Sequence, residues 1–258
     1  MTIPVVAASH SLGKTLAMIA GEGGLVDLAT NTKITLHHTY NVLCIGHRGD
    51  DDQRVLVGAH LDSVPAGLGL VDNASGSATL LEILLVLNTH HPKYHPRNKI
   101  VFAWWGAEEV GLLGSRHYVR SLSPEERSKI ALNLNFDMLA SPNGVPFIHN
   151  GTDAPLVIRN ASLQLQRGFE QFFHRKGRPY EITDMVIGSD FLPFLEGGIP
   201  AVRVSIWGWI MMHINLAKVV CVSFGNRRSP YWRWGAQNRR AEAYVWRIRE
   251  HTNGSVLP

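Results

Sequence analysis

Six residues that can bind a metal or transfer a proton lie within one 78-residue stretch of the chain. They are His60, Asp62, Asp72, Glu108, Glu109 and Asp137. Most of them follow hydrophobic segments typical of buried strands, which carry side chains to the carboxyl edge of a sheet. Histidine and carboxylate groups at such an edge are suitable ligands for divalent metals. The spacing therefore predicts a centre for two metal ions beside a catalytic carboxylate.

The first hydrophobic segment, residues 54–60, ends in His60, which is a predicted metal ligand. An imidazole binds metal through one ring nitrogen when a partner holds the other. Asp62 lies two residues later, on the same side of a strand. It is predicted to fix the histidine tautomer rather than to bind the metal itself.

Asp72 follows a glycine-punctuated loop and precedes an apolar helix predicted over residues 78–87. Both oxygens of a carboxylate in such a loop are available for binding. A carboxylate shared by two cations holds them about 3.5–4 Å apart. Asp72 is therefore the predicted bridge between the two metals.

Glu108 and Glu109 follow a strand predicted over residues 99–105, and Asp137 ends another predicted strand. Adjacent carboxylates point in different directions, so one can bind metal while its neighbour accepts a proton from water. Asp137 would complete the metal shell that contains His60.

Each of these residues has a simpler explanation on its own. His60 could be a hydrogen-bonded histidine, Asp72 or Asp137 a turn or capping residue, and the two glutamates could be acids of a first helical turn. Four such features in this order, each ending a strand or opening a helix, favour the metal centre.

Five motifs also resemble the M28 family of zinc aminopeptidases, over about residues 36–204. They are Gly58-Ala-His-Leu-Asp-Ser63, Asp72-Asn-Ala-Ser-Gly76, Trp105-Gly-Ala-Glu-Glu-Val-Gly-Leu-Leu-Gly-Ser115, Asn135-Phe-Asp-Met138 and Ser189-Asp-Phe-Leu-Pro-Phe194. The resemblance implies an α/β fold, a three-layer α/β/α sandwich around a mixed, mainly parallel sheet.

The same resemblance implies two zinc ions and a role for each residue around them. His60, Asp72 and Asp137 would hold one zinc, Asp72 and Glu109 would hold the other, and Glu108 would be the general base. The implied substrate is a peptide with a free amino terminus. The implied location is extracellular, because the similar enzymes are secreted.

The sequence departs from the family pattern after Gly198-Ile-Pro200. The family closes its second metal site with a histidine roughly thirty to forty residues later, where this chain reads Ser229-Pro-Tyr-Trp-Arg-Trp-Gly-Ala. His213 lies too early and His251 too late to replace it without a changed path for the tail. We therefore predict one well-formed zinc site, an incomplete second site, and low or absent peptidase activity.

Three regions are predicted along the chain. Residues 1–35 resemble the end of a protease-associated domain, which suggests a longer precursor, residues 36–204 form the M28-like domain, and residues 205–258 form a divergent tail. The tail carries eight Lys/Arg against two Asp/Glu and five of the seven tryptophans. Basic and aromatic residues together can bind nucleic acids, but no recognised motif accompanies them. We therefore predict no nucleic-acid partner.

The composition is that of a soluble α/β domain. The chain has 258 residues, of which 45% are hydrophobic, enough to bury a substantial core. No segment is judged long and apolar enough to span a membrane, and no secretory signal is recognised, so we predict no membrane partner. A further amphipathic helix is predicted from about Ala154 to Arg175, with Leu156 on its apolar side. Cys44 and Cys221 are interpreted as buried thiols in preference to a disulfide.

Two alternatives to an active aminopeptidase remain open. One is an inactive metal-binding or interaction protein, such as a truncated gene product, which the missing histidine supports. The other is a carboxypeptidase- or deacylase-type metallohydrolase, which also combines a His-x-Asp strand, a Glu-Glu doublet and a bridging aspartate. Only eleven residues separate His60 from Asp72, and that type generally needs a longer interval, so the aminopeptidase is favoured.

Overall fold

The computed structural model of the chain describes six stretches of residues. They are 8–23, 31–89, 95–142, 144–185, 188–208 and 240–252. The chain divides into two compact units, the first comprising residues 1–37 and 210–245 and the second residues 38–209 and 246–258. All six residues of the predicted metal centre belong to the second unit.

The described residues contain eight strands and six helices. The strands are β1 (Asn31–Ile45), β2 (Asp50–His60), β3 (Asn98–Trp105), β4 (Ile130–Phe136), β5 (Gly144–His149), β6 (Glu181–Thr183), β7 (Ala201–Gly208) and β8 (Arg240–Thr252). The helices are α1 (His10–Gly21), α2 (Ser75–Thr89), α3 (Leu113–Ser121), α4 (Pro124–Ser128), α5 (Arg159–Arg175) and α6 (Leu192–Glu196).

The strands form one mixed sheet in the order β6-β5-β7-β4-β2-β3-β1-β8. Strand β2 runs parallel to β3 and β4, β4 runs parallel to β7, and β5 runs parallel to β6. The pairs β1 with β3 and β5 with β7 are antiparallel. The predicted α/β fold with a mixed, mainly parallel sheet is confirmed.

Helices cover both faces of this sheet and complete the three layers. On one face, Tyr118 of α3 and Phe194 of α6 pack against Trp105, with ring centroids 5.2 Å and 5.8 Å from its ring. On the other face, Leu80 of α2 is fully buried in a cluster that includes Phe102 of β3. Removal of these apolar surfaces from water is the main force that holds the helices to the sheet.

The strand register places one residue from each of three strands in one row. Gly58 of β2 pairs with Asn135 of β4, and Asn135 pairs with Arg203 of β7. Side chains two residues apart on a strand share a face, so His60 and Asp137 continue from this row toward the carboxyl ends of β2 and β4. The register therefore places both residues at the same edge of the sheet.

The prediction that a helix begins near Ala154 is wrong in its first turn. A 3₁₀ turn occupies Gly151–Asp153, and α5 begins only at Arg159. Leu156, predicted on the apolar side, is 79% exposed. Pro155 precedes it, and a proline disfavours helical backbone in the residue before it, which interrupts a helix that would start at Ala154.

The prediction that no segment is long and apolar enough to span a membrane is also wrong, judged by length and composition alone. The 19-residue segment Leu70–Asn88 reaches a mean hydropathy of 1.4, sufficient for a span by length and composition alone. Core helices meet the same criterion, and in this segment 17% of the residues are buried, among them Leu80 against the sheet. Its first turn is also interrupted by non-helical backbone at Asp72 and Asn73.

Leu80→Ala should destabilise the protein by about 2–5 kcal/mol, because it removes a fully buried side chain and leaves a cavity against β3. Urea denaturation followed by circular dichroism measures the change. The matched control is Leu81→Ala on the same helix, where the side chain is 49% exposed and the expected cost is about 1 kcal/mol or less. Equal costs at the two positions would contradict the described packing of α2.

Candidate metal centre

His60 is the last residue of β2 and is almost completely buried, with 1% exposure. Its Nδ1 lies 2.9 Å from the backbone carbonyl oxygen of Asp62. Because a carbonyl oxygen only accepts hydrogen bonds, Nδ1 must carry the proton in neutral His60, which leaves the lone pair of Nε2 for another ligand. Asp62 therefore fixes the tautomer, but through its main chain.

The carboxylate of Asp62 lies near His60 and also contacts the glutamate doublet. Its Oδ1 is 3.6 Å from Nδ1 of His60, beyond ordinary hydrogen-bond length. The same carboxylate accepts the backbone N–H of Glu108 at 2.9 Å and that of Glu109 at 3.1 Å. Asp62 thus ties the end of β2 to the glutamate doublet that follows β3.

Asp72 lies in an irregular turn, Leu70–Ala74, just before α2. The hydroxyl of Ser63 donates to its carbonyl oxygen at 2.9 Å. The neighbouring Asn73 is buried and donates from its side chain to the carbonyl oxygen of Phe136 at 3.0 Å. These bonds hold the turn against the ends of β2 and β4, and Asp72 Oδ1 reaches within 3.0 Å of His60 Nε2.

Asp137 follows β4 and is buried, with its two carboxylate oxygens in different surroundings. Oδ2 accepts a hydrogen bond from the Ser189 hydroxyl at 2.7 Å and pairs with the Arg203 guanidinium at 3.0 Å. Oδ1 lies 3.4 Å from His60 Nε2. Burial raises the pKa of Asp137, but Arg203 and His60 outweigh that effect and hold the pKa below its ordinary value.

Arg203 is a residue of this site that sequence reasoning missed. The available signal was its position inside the apolar strand segment Ala201-Val-Arg-Val204, because a buried arginine requires an anionic partner. Ser189 belongs to one of the family motifs, and nothing in its local sequence indicates a bond to Asp137. Both contacts arise from the packing of β7 and the segment before α6 against β4.

The ligand atoms form two overlapping groups in which all atoms lie within 4.8 Å of one another. The groups are His60, Asp72 and Glu109, and His60, Glu108 and Asp137. The structure thus brings all five predicted ligand and base residues together. Which of them binds which metal stays a prediction.

The buried ligand atoms fit a metal better than they fit one another. His60 Nε2, Glu109 Oε1 and Asp137 Oδ1 are buried without a hydrogen-bond partner, and the short approach of His60 to Asp72 lacks hydrogen-bond alignment. Buried polar groups are normally hydrogen-bonded, since an unpaired one costs about 1–3 kcal/mol. A divalent cation among these oxygen and nitrogen atoms would satisfy them.

The electrostatics of the cluster also favour a cation. Burial lowers the pKa of His60, but the carboxylates of Asp137, Asp62 and Asp72 outweigh this and raise it. Burial and then the charge of Asp190 raise the pKa of Glu108 to about 9. The contribution of the neighbouring carboxylates to this shift shows that negative charge is concentrated around Glu108.

Burial and then the charge of Asp72 likewise raise the pKa of Glu109, to about 7. A bound cation would reverse these shifts, since a positive charge favours the ionised form of each carboxylate and the neutral form of histidine.

Left-handed backbone occurs at two non-glycine residues beside the cluster. Ala107, which precedes Glu108, has φ of 58°, and Met138, which follows Asp137, has φ of 60°. Such a conformation costs roughly 1–3 kcal/mol for a residue with a Cβ atom and is concentrated at functional sites. The strand ends are bent here so that the carboxylates turn toward His60.

Several predictions concern residues outside the described ones. Cys221, His213 and the segment 229–236 are not described, and only the backbone of His251 is described, within β8. Cys44 is a half-buried free thiol. The missing histidine ligand, the cysteine pairing and the three predicted regions therefore stay predictions.

The fold and the cluster together define an α/β protein with a histidine-carboxylate cluster, suited to a metal, at the carboxyl edge of its sheet. Residues 41–246 match the family model of Peptidase family M28. The chain therefore belongs to Peptidase family M28. The match extends beyond residue 204, where the family motifs recognised in the sequence end.

Individual relatives agree with this assignment. An aminopeptidase from Pseudomonas aeruginosa is 46% identical over 163 residues, covering 62% of this chain and 30% of that protein. A leucine aminopeptidase 2 from Trichophyton rubrum is 36% identical over 203 residues, covering 77% of this chain and 40% of that protein. The chain thus spans 30–40% of the length of these relatives.

Among solved structures, the chain is similar to a zinc aminopeptidase from Bacillus subtilis, with a TM-score of 0.54 and 26% identity. The similarity covers 67% of this chain and 41% of that one.

Asp190→Asn should weaken the pH dependence of stability in the metal-free protein. Asp190 is fully buried, accepts a hydrogen bond from the Ser115 hydroxyl, and burial raises its pKa to about 7. The folded state therefore binds more protons than the unfolded state between about pH 4 and 7, so stability falls as pH rises through this window. The free energy of unfolding of the variant minus that of the parent should be larger at pH 8 than at pH 4, by on the order of 1–3 kcal/mol.

Urea denaturation of both proteins at pH 4 and pH 8, in the presence of a chelator, measures this difference. The control is Asp184→Asn, at an exposed position, which should leave the pH dependence of the parent unchanged. A parent and an Asp190 variant with parallel pH profiles would contradict the prediction.

Proposed function

We propose that this chain is a metal-dependent peptide hydrolase that removes amino acids from the amino end of peptides. One observation carries the proposal: the ligand atoms of His60 lie within 4.8 Å of those of Asp72 and Glu109 in one group and of Glu108 and Asp137 in another, and His60 Nε2 is buried without a hydrogen-bond partner. The similarity to aminopeptidases supports the choice of peptides with a free amino terminus as substrates.

The proposed metal is zinc, supported by the donor set and by the similarity to the Bacillus subtilis zinc aminopeptidase. His60, Asp72 and Asp137 would hold one ion, and Asp72 and Glu109 would hold a second. When bound, the pair of ions would lower the pKa of water toward neutrality and polarise the scissile carbonyl.

Glu108 is the proposed general base. It has no assigned place among the zinc ligands, and its carboxylate lies within 4.8 Å of ligand atoms of both His60 and Asp137. It would accept a proton from the attacking water and return it to the leaving amine. Asp62 supports this role by holding the backbone of Glu108 and Glu109 in place.

The second zinc site is the proposed weak point of this chain. Two protein ligands, Asp72 and Glu109, are proposed for it, and the expected histidine is missing from segment 229–236. Two ligands bind zinc less tightly than three or four. We therefore propose low peptidase activity, and an extracellular location as for the secreted enzymes that the chain resembles.

An inactive metal-binding protein is the second candidate, favoured by the same missing histidine. A comparison of hydrolysis of leucine amide with hydrolysis of amino-terminally blocked peptides, each in added zinc, tests the proposal. Release of leucine from the amide supports an aminopeptidase. A preference for blocked peptides would favour a deacylase or carboxypeptidase type, and no turnover of either substrate would favour the inactive protein.

Glu108→Gln should reduce turnover of leucine amide by about 10²–10⁴-fold, because the amide side chain cannot accept the proton. Zinc content should remain that of the parent, since Glu108 is not a proposed ligand. Steady-state kinetics and metal analysis by mass spectrometry measure the two quantities. The control is Glu125→Gln, on the surface helix α4, where the side chain is 79% exposed and activity should be unchanged. Retained turnover in Glu108→Gln would remove Glu108 from its proposed role.

Removal of metal should lower the thermal stability of the chain. A ligand that binds only the folded state stabilises it by about 2.7 kcal/mol at a hundredfold excess over its dissociation constant. We expect the melting temperature to fall with a chelator and to recover when zinc is added, and differential scanning calorimetry measures both. The recovery should be lost in Asp72→Ala, which removes the bridging ligand. An identical melting temperature with and without zinc would argue against a metal site.

A further inference from the structure

Arg203 is buried in the middle of the sheet. It lies on β7 between Val202 and Val204 and is only 2% exposed. A guanidinium removed from water costs several kcal/mol unless a partner of opposite charge and further hydrogen bonds compensate it. Its position therefore requires an anionic partner in the same layer of the sheet.

The anionic partner is the predicted metal ligand Asp137. Arg203 Nη2 lies 3.0 Å from Asp137 Oδ2, and the Ser189 hydroxyl donates to the same oxygen at 2.7 Å. Ser189 is itself held by Asn135, whose side-chain amide donates to its oxygen at 2.9 Å. Asn135 is the cross-strand partner of Arg203, so the strand register fixes both ends of this network.

These contacts give the two carboxylate oxygens of Asp137 different surroundings. Oδ2 is occupied by Arg203 and Ser189, whereas Oδ1 is buried without a hydrogen-bond partner and lies 3.4 Å from His60 Nε2. Rotation of the carboxylate would break a buried ion pair to expose Oδ2 in place of Oδ1. Partners that orient ligand carboxylates in this way typically contribute 10–100-fold to metal affinity.

We infer that Arg203 is a positioning residue that fixes the Asp137 carboxylate so that Oδ1 faces His60 and the metal. The inference rests on the proposed function in one respect, namely that a divalent metal binds at His60 and Asp137. It does not depend on peptide hydrolysis.

The test compares zinc binding by the parent chain, Arg203→Met and Arg203→Lys. Affinity is measured by competition with a zinc-chelating dye, and stoichiometry by mass spectrometry after dialysis. Arg203→Met should bind the tighter zinc about 10–100-fold more weakly. Arg203→Lys should lie between it and the parent, because an ammonium group keeps the charge but not the planar, forked donor geometry.

The matched control is Arg127→Met. Arg127 is a half-buried arginine that donates to the backbone carbonyl oxygen of Val119 at 3.2 Å, and the residues that make up the metal centre are not among its hydrogen-bond partners. Its variant should bind zinc as the parent does. Far-UV circular dichroism and the melting temperature of each metal-free variant report whether the fold is retained. If the methionine variant does not fold, the test uses Arg203→Lys, which keeps the buried charge.

Parental zinc affinity in folded Arg203→Met, or in Arg203→Lys if only that variant folds, would overturn the inference. Tighter binding would also overturn it, because Arg203 would then act mainly by repelling the metal. A parent chain that binds zinc but hydrolyses no peptide would leave the inference standing and overturn the proposed function. A parent that binds no zinc would overturn both.

Discussion

The structure depends on how the negative charge at the carboxyl edge of the sheet is balanced. Four carboxylates, those of Asp72, Glu108, Glu109 and Asp137, converge on one buried histidine. Burial, and after it repulsion between the like charges, raises the pKa of both glutamates. The fold accommodates this arrangement in part because fixed protein groups balance some of the charge.

The fixed groups act on particular oxygens. Two backbone N–H groups satisfy the carboxylate of Asp62, and Arg203 and Ser189 satisfy one oxygen of Asp137. The remaining oxygens and His60 Nε2 point into the cluster without such partners. The positions of these remaining atoms are therefore defined by the hydrogen bonds that hold the other atoms of the same side chains and segments.

The sequence predicted the strands and the residues at their ends, because hydrophobic runs followed by polar residues have a direct structural meaning. It also predicted that His60 and Asp137 meet, since carboxyl ends of parallel strands share an edge. It could not predict that Asp62 fixes His60 through its carbonyl oxygen, because the choice between main chain and side chain depends on the path of the loop after β2. The predicted start of α5 was too early, because the helical spacing of apolar residues continues across Pro155 whereas the helix begins only at Arg159.

Arg203 shows why another part of the site could not be predicted from the sequence. Its partner is 66 residues away, and only the register of β4 with β7 brings the two together. A strand pattern of apolar residues interrupted by arginine signals that some anion is near, but local sequence does not say which one.

Ser189 and Asp190 are a second case in which the contacts depend on packing between distant segments. The two residues are adjacent, yet Ser189 bonds Asp137 after β4, whereas Asp190 accepts a bond from Ser115 of α3. Helix α3 begins at Leu113, soon after the glutamate doublet, so the dipeptide connects Asp137 with the helix that follows Glu108. The Asp62 carboxylate holds the backbone of Glu108 and Glu109 from the end of β2, so the glutamate doublet is also anchored independently of this dipeptide. A site assembled from four separate segments is thus tied together by hydrogen bonds between those segments.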